Sequence, residues 1–277
     1  MAEDAIANKV VAVTGGARGI GLAVATLLHR RGARVAIGDI DGTAADVAAQ
    51  RLGFSAAATL DVRDPQSFRS FLDGVEEQVG PIDVLVNNAG IIAVGPAIDE
   101  KDEITRRVLD INLFGVMIGT KLAAARMRTR GSGHVINIAS TSAVMPVPGI
   151  ATYSATKHAV LGFTDAVRLE NRRSGIHFSA VLPALTNTEM IAGVGRARLI
   201  KNIEPSDVAE AVCALIRKPR GRVVVPRSFG LIALAGRRLL PQRIYEAVER
   251  SLGAERVFQD DVDNSRRTSY QDRTETS

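Results

Sequence analysis

Short apolar runs alternate with longer amphipathic ones along most of the chain. Residues 9–14 are apolar, β-branched and followed by glycines, the pattern of a buried strand. Residues 22–31 repeat apolar positions at helical spacing, and Gly32 ends the run. Strand patterns recur at 34–38, 56–60, 82–86, 135–139, 178–182 and 223–225, and helical patterns at 102–129, 152–173 and 207–217. Strands separated by helices predict an α/β fold: a doubly wound parallel sheet of about seven strands with helices on both faces.

Between the first strand and the first helix lies Gly15-Gly16-Ala17-Arg18-Gly19-Ile20-Gly21. Strand, glycine turn and helix in that order form the context of a dinucleotide-binding fingerprint. Gly15 permits a sharp turn, and Gly19 and Gly21, on either side of Ile20, let the helix start approach a pyrophosphate. The helix N-terminus then offers N–H groups and partial positive charge to the phosphates. The alternative is a plain glycine turn.

Asp39 ends the second strand, near the ~20-residue spacing at which an acid holds ribose hydroxyls. A carboxylate there repels a 2′-phosphate and argues for NAD over NADP. Arg18 argues the other way, as a cation in the glycine loop, and Asp39 is given the greater weight. Asp41 reads as the N-cap of the next helix. The third strand runs into Asp61 and Val62, where a strand's C-terminal end faces the ligand crevice. The fourth leads to Asn87-Asn88-Ala89-Gly90, where Asn87 is expected to tie the strand end to the neighbouring loop. An ordinary polar turn is the alternative there.

The chemistry lies further on. Tyr153 and Lys157 are four residues apart and share a helix face. A lysine ammonium beside a phenol favours the phenolate and lowers its pKa from ~10. A tyrosine so tuned protonates a ketone or deprotonates an alcohol. Each tenfold gain in acidity requires about 1.4 kcal/mol, so one cation is not enough and a second positive charge, such as an oxidised nicotinamide, is called for. Ser140 lies thirteen residues before Tyr153 and directly follows the strand at 135–139. Ser142 is a second hydroxyl in the same stretch, and Ser140 is preferred by position.

Together these motifs resemble the short-chain dehydrogenase/reductase family, of the compact single-domain type, from about Lys9 to about Pro226. The resemblance rests on Thr14, Gly15, Gly19, Ile20 and Gly21, on Asn87-Asn88-Ala89-Gly90, and on Asn112, Ser140, Tyr153 and Lys157. It implies a Rossmann-like fold and an NAD(P)-dependent alcohol or ketone oxidoreductase. Tyr153 would be the general acid/base and Ser140 would orient the substrate oxygen. Lys157 would tune Tyr153 and hold the nicotinamide ribose, and Asn112 would hold a water linking Lys157 to solvent. Asn87, Ala89 and Gly90 would border the cofactor; Pro183, Thr186 and Thr188 would flank the nicotinamide, Thr188 at its carboxamide. One departure stands out: the family usually has Pro-Gly where this chain has Pro183-Ala184. A Cβ there limits close approach or unusual dihedrals. The family also implies a homo-oligomer, with a dimer favoured because the C-terminal extension would block a second interface.

Three regions follow: a dinucleotide-binding and catalytic domain at 1–226, an extension at 227–258 expected to pack on the domain or near the pocket mouth, and a tail at 259–277 expected to be disordered. Residues 189–204 either cover the substrate pocket, through Met190, Ile191 and Val194, or pack as core. The apolar run 229–236, followed by cations at 237–243, either packs on the domain or makes weak membrane-surface contact. Met1 to Lys9 lack an apolar core, no stretch approaches ~20 apolar residues, and Cys213 is the sole cysteine, so a cytoplasmic protein is expected. The net charge of +5 is concentrated late: residues 1–195 hold 19 basic and 19 acidic side chains, and residues 196–250 hold 12 and 5. Few aromatics accompany those arginines, so no nucleic-acid partner is expected. No metal site is expected either. The leading reading is an NAD-linked enzyme acting on a hydrophobic steroid-, retinoid- or lipid-like alcohol or ketone. A non-catalytic dinucleotide-binding sensor or scaffold, and a membrane-peripheral lipid dehydrogenase, are the competing readings.

Overall fold

Each apolar run becomes a strand of one sheet. In the computed structural model the described residues are 5–195, 202–228, 241, 243–244, 257–259, 262–263, 265–268 and 270. The strands are β1 (Val10–Thr14), β2 (Arg34–Asp39), β3 (Ala56–Thr59), β4 (Val84–Asn87), β5 (Gly133–Ile138), β6 (Ile176–Pro183) and β7 (Arg222–Val225). They pair in the order β3-β2-β1-β4-β5-β6-β7, and every pairing is parallel. The chain therefore reverses direction across the sheet between β1 and β4. Such a reversal opens a crevice at the carboxyl ends of the strands, where ligands bind.

The helices are α1 (Gly19–Arg30), α2 (Gly42–Leu52), α3 (Pro65–Gln78), α4 (Asp102–Leu109), α5 (Gly115–Arg130), α6 (Ala151–Glu170) and α7 (Pro205–Arg217). Successive strand residues point to opposite faces. Val11 and Val13 accordingly join the core with Val24, Leu28 and Val212, and Val10 and Ala12 join the one with Phe68, Leu72 and Ile118. Cys213 is buried in the first of these cores. The result is the three-layer, seven-stranded Rossmann-like sandwich the pattern predicted.

α4 and α5 are joined without a break by a π turn, Asp110–Phe114. The continuous helix Asp102–Arg130 has 29 residues, and its most apolar 18-residue window has mean hydropathy 1.5, long and apolar enough to cross a membrane by length and composition alone. This corrects the expectation that no stretch approaches that limit. Of its most apolar window 44% is buried within the domain, as in the core helix of a folded domain.

At its described positions the C-terminal region packs on the domain. Residues 257–258, 265–268 and 270 are helical, and Val257, Phe258, Arg267 and Tyr270 are buried. Arg267 and Tyr270 lie in the stretch beyond 259 whose polar composition reads as a tail. The apolar run 229–236, most of the cationic run after it, and Arg196, Arg198 and Lys201 lie outside the described residues.

Candidate active site

The strand ends border a cavity of about 380 Å³. At one end sits the glycine turn. Gly15 and Gly19 adopt left-handed backbone (φ +61° and +53°). A Cβ on Gly15 would lie 2.9 Å from the Ala89 Cα, and one on Gly21 would lie 2.1 Å from the Gly15 carbonyl. The α1 N-terminus carries no side-chain cap, whereas α2 and α3 are capped by Asp41 and Asp64. Orphan N–H groups of a first turn facing a cavity suit an anion.

Asp39 lines this end and holds the glycine loop: its carboxylate accepts from the Ala17 N–H at 3.1 Å and the Asp41 N–H at 3.2 Å. Arg18 is engaged by Asp41 in a close ion pair. The residue that argued for a 2′-phosphate therefore has a carboxylate partner. Asp61 and Val62 line the cavity beyond. Partial burial pushes the Asp61 carboxyl up, but hydrogen bonds and charge from Arg63, bonded at 2.7–3.1 Å, leave it below its ordinary value.

The tie between strand end and loop expected of Asn87 is made by Asn88. Asn88 Nδ2 donates to the carbonyls of Thr14 and Gly15, both at 2.9 Å, and so ties the strand end to the glycine loop. Asn87, the last residue of β4, is buried and donates to Asn137 Oδ1 at 2.9 Å across the β4–β5 pairing. It lies behind the cavity, whereas Asn88, Ala89 and Gly90 line it. Thr14 Oγ1 completes the tie, accepting from the N–H groups of Asn88 and Ala89 at 3.0 and 3.1 Å.

At the other end, Ser140 follows β5, Tyr153 sits in the first turn of α6, and Lys157 lies one turn on. The Ser140 hydroxyl lies close enough to the Tyr153 phenol to favour its ionised form. Its Oγ also accepts from the Ser142 N–H at 3.1 Å. Lys157 is 4% exposed; its Nζ donates to the Ile138 carbonyl at 2.9 Å and lies 5.5 Å from the Tyr153 ring centroid. Burial pushes the Tyr153 phenol up to about 12, the Ser140 hydrogen bond acting the other way. Burial likewise pulls Lys157 down to about 8. Lys157 alone therefore does not produce the acidic tyrosine expected from spacing: it sits beside the ring, and desolvation dominates.

Asn112 is fully buried in the π turn. Its Oδ1 accepts from the Ile91 N–H and its Nδ2 donates to the Ile91 carbonyl, both at 2.8 Å. The side chain anchors the backbone after Gly90. Pro183, Ala184, Thr186 and Thr188 line the cavity opposite. Among described non-glycine residues only Asn8 has positive φ, so Ala184 takes ordinary backbone and carries no strain. Its N–H donates to the Val225 carbonyl at 2.7 Å. Thr188 Cγ2 would lie 3.4 Å from a Cβ on Gly19, which puts this segment close to the glycine turn.

The family model of the short chain dehydrogenases matches residues 9–198. The chain belongs to this family. Members of the short-chain dehydrogenase family are NAD(P)-dependent oxidoreductases, and the uncapped α1 N-terminus, the glycine close approaches and the Lys157 ammonium fit such a dinucleotide. A solved short-chain dehydrogenase, the 3-ketoacyl-(acyl-carrier-protein) reductase of Brucella melitensis complexed with NADH, has TM-score 0.71 and 28% identity, covering 80% of this chain and 99% of that one. A 3-alpha-(or 20-beta)-hydroxysteroid dehydrogenase of Mycobacterium bovis is 35% identical, covering 75% of this chain and 82% of its own. A cis-4-hydroxycyclohexanecarboxylate dehydrogenase of Sinomonas cyclohexanicum is 36% identical, covering 80% and 86%. The "Probable oxidoreductase EphD" of Mycobacterium tuberculosis is 31% identical over 86% of this chain, which spans only 44% of that protein's length.

Several lining residues, among them Asn88, Met145, Val147, Ile150, Leu185 and Tyr270, were not picked out from sequence as site residues. Asn88 carried a signal, its place in the same motif as Asn87. Val257 and Phe258 fall in the extension expected on the domain or near the pocket mouth, whereas Tyr270 carried no signal, since it meets the cavity through contacts far along the chain.

Proposed function

We propose that this chain is an NAD-dependent dehydrogenase of a hydrophobic secondary alcohol, or the reductase of the matching ketone. The observation that carries this is the convergence of Ser140, Tyr153 and Lys157 at one end of a cavity whose outer wall is apolar. Met145, Val147, Ile150, Leu185, Met190 and Phe258 supply that wall. Ring-bearing alcohols of the kind named for the two relatives above match such a wall, and steroid-, retinoid- or lipid-like alcohols share that chemistry.

A bound nicotinamide dinucleotide supplies the hydride acceptor or donor. The chain supplies position and proton transfer. Ser140 and Tyr153 hold the substrate oxygen between them, and Tyr153 takes the alcohol proton or returns it to the ketone. Lys157 holds ribose hydroxyls and adds positive charge beside the phenol. Asn112 fixes Ile91 and with it the backbone between Gly90 and the substrate. Asp39 accepts from the adenosine ribose and, with Arg18 paired to Asp41, favours NAD. Asp61 and Val62 border the adenine end, and Thr186 and Thr188 the nicotinamide end. The protein works in the cytoplasm as a homo-oligomer, the state the family resemblance implies, with a dimer favoured because the C-terminal extension would block a second interface.

Replacing Tyr153 by Phe tests this. Removal of the proton donor should lower kcat by at least about 100- to 10,000-fold, with NADH affinity, read by fluorescence titration, essentially retained. Unchanged turnover would refute the assignment.

A further inference from the structure

The described residues between 257 and 270 form a wall of the cavity and tie its two sides together. Val257, Phe258 and Tyr270 make one buried apolar cluster with Ile92 and Ile150, and Tyr153, Leu185 and Met190 pack against it. The proton-transferring tyrosine therefore rests on residues contributed by the C-terminal segment.

On one side, the Ile92 N–H donates to the Tyr270 hydroxyl at 3.0 Å. Ile92 adjoins Ile91, whose N–H and carbonyl are both held by Asn112. On the other side, Arg267 Nη1 donates to the carbonyls of Ala192 at 3.1 Å and Met190 at 3.4 Å. The Asp263 N–H donates to the Gly193 carbonyl at 2.8 Å, and the Gly195 N–H to the Val257 carbonyl at 3.0 Å. Arg267 is 1% exposed, with its guanidinium 5.5 Å from the Tyr270 ring centroid. A guanidinium is desolvated at high cost unless acceptors and an aromatic face receive it, and here both do.

The catalytic domain is shaped to receive this segment. Gly149 and Gly193 both have left-handed backbone (φ +80° and +72°). A Cβ would lie 2.4 Å from the Phe258 carbonyl oxygen at the first, and 2.3 Å from the Asp263 carbonyl oxygen at the second. Both contacts are with backbone, which cannot swing aside, so a side chain at either place would push the segment off the pocket.

We propose that the described residues between 257 and 270 are a specificity-determining strap. Tyr270 and Phe258 close the cavity over the Ser140–Tyr153 pair and select among apolar alcohols by size, while Arg267 fixes the pocket segment 189–195. The substrate class rests on the dehydrogenase reading above; the strap contacts do not.

The test uses the full chain and the variants Tyr270→Phe, Tyr270→Ala and Arg267→Met, with two readouts. The first is amide hydrogen exchange. Tyr270→Phe removes the acceptor of the Ile92 N–H while keeping the ring, and exchange in the peptide 90–95 should rise about five- to tenfold. Arg267→Met should raise exchange in 190–195. The second is kcat/KM for a size series: cyclohexanol, decalinol and a hydroxysteroid. Tyr270→Ala should raise the large-to-small ratio at least about tenfold, with NAD affinity within about twofold of the parent. Unaltered exchange in both peptides would overturn the strap whatever the turnover. So would an unaltered size ratio in Tyr270→Ala. Absence of turnover in parent and variants alike, with exchange responding as stated, would support the strap contacts and refute the dehydrogenase reading. Tyr270→Phe keeps the ring and its packing, so the exchange test stands even where Tyr270→Ala does not fold.

Discussion

Tyr153 must be a weak acid in one state and a useful base in another. In the free protein burial dominates, and the phenol is held near 12 while Lys157 is held near 8. Below pH 8 the lysine is an ammonium, and the proton stays on Tyr153 through the neutral range. A base for alcohol oxidation needs a lower pKa, so a further cation must act when the cofactor is in place. Tyrosinate absorbance, taken as parent minus Tyr153→Phe, checks this. Tyr153 should titrate near pH 12 alone and at least tenfold more readily, about pH 11 or below, with saturating NAD, since a nearby positive charge favours phenolate. An unchanged titration with NAD would leave the phenol untuned.

Residue identities at this centre were legible in the sequence because spacing fixes them. Tyr153 and Lys157 share a helix face, and Ser140 follows a strand. Their electrostatics were not legible, because desolvation depends on everything packed around them. Nor could the sequence separate Asn87 from Asn88. One is the last strand residue, paired with Asn137, and the other is the first beyond it. Only the register of β4 on β5 decides which amide reaches the glycine loop.

Helix α1 and strand β1 meet through glycine, and that approach carries the nucleotide end of the site. A Cβ at Gly21 would stand 2.1 Å from the Gly15 carbonyl and 2.5 Å from Asn88 Nδ2. Gly21→Ala should therefore lower stability by about 1–3 kcal/mol, as overpacking against backbone does. It should also weaken NAD binding more than a substitution elsewhere on α1, because Asn88 and Gly15 shift together. Thermal unfolding and fluorescence titration measure the two effects, and an unchanged Kd would detach this contact from cofactor binding. The order of elements was legible from alternating apolar periods, since most strands are buried and most helices amphipathic. The π turn was not: its signal was one asparagine in an apolar helical run, and the bond pattern around Asn112 follows from Ile91, which sequence spacing does not bring near.

Across the whole molecule, the crevice at the β1–β4 reversal, the cation and hydroxyls on α6 and β5, and the apolar outer wall fall along one cavity. The first two parts lie in the stretch matched by the family model, 9–198, while part of the outer wall comes from beyond it. That distribution explains why chemistry was legible and specificity was not. Catalytic groups are set by local spacing in elements of the sheet. The far wall depends on residues 62 to 178 positions away from those they touch, in a segment whose composition reads as polar.

The central claim is that Ser140, Tyr153 and Lys157 serve an NAD-linked oxidation of a hydrophobic alcohol. Its most direct test is the initial rate of NADH formation from NAD with cyclic secondary alcohols, with NADP in parallel and Tyr153→Phe as control. The account predicts turnover with NAD, a lower kcat/KM with NADP because Asp39 faces the 2′-position, and loss of turnover in the variant. NADP preference would contradict the role given to Asp39. Equal rates in parent and Tyr153→Phe would contradict the mechanism itself.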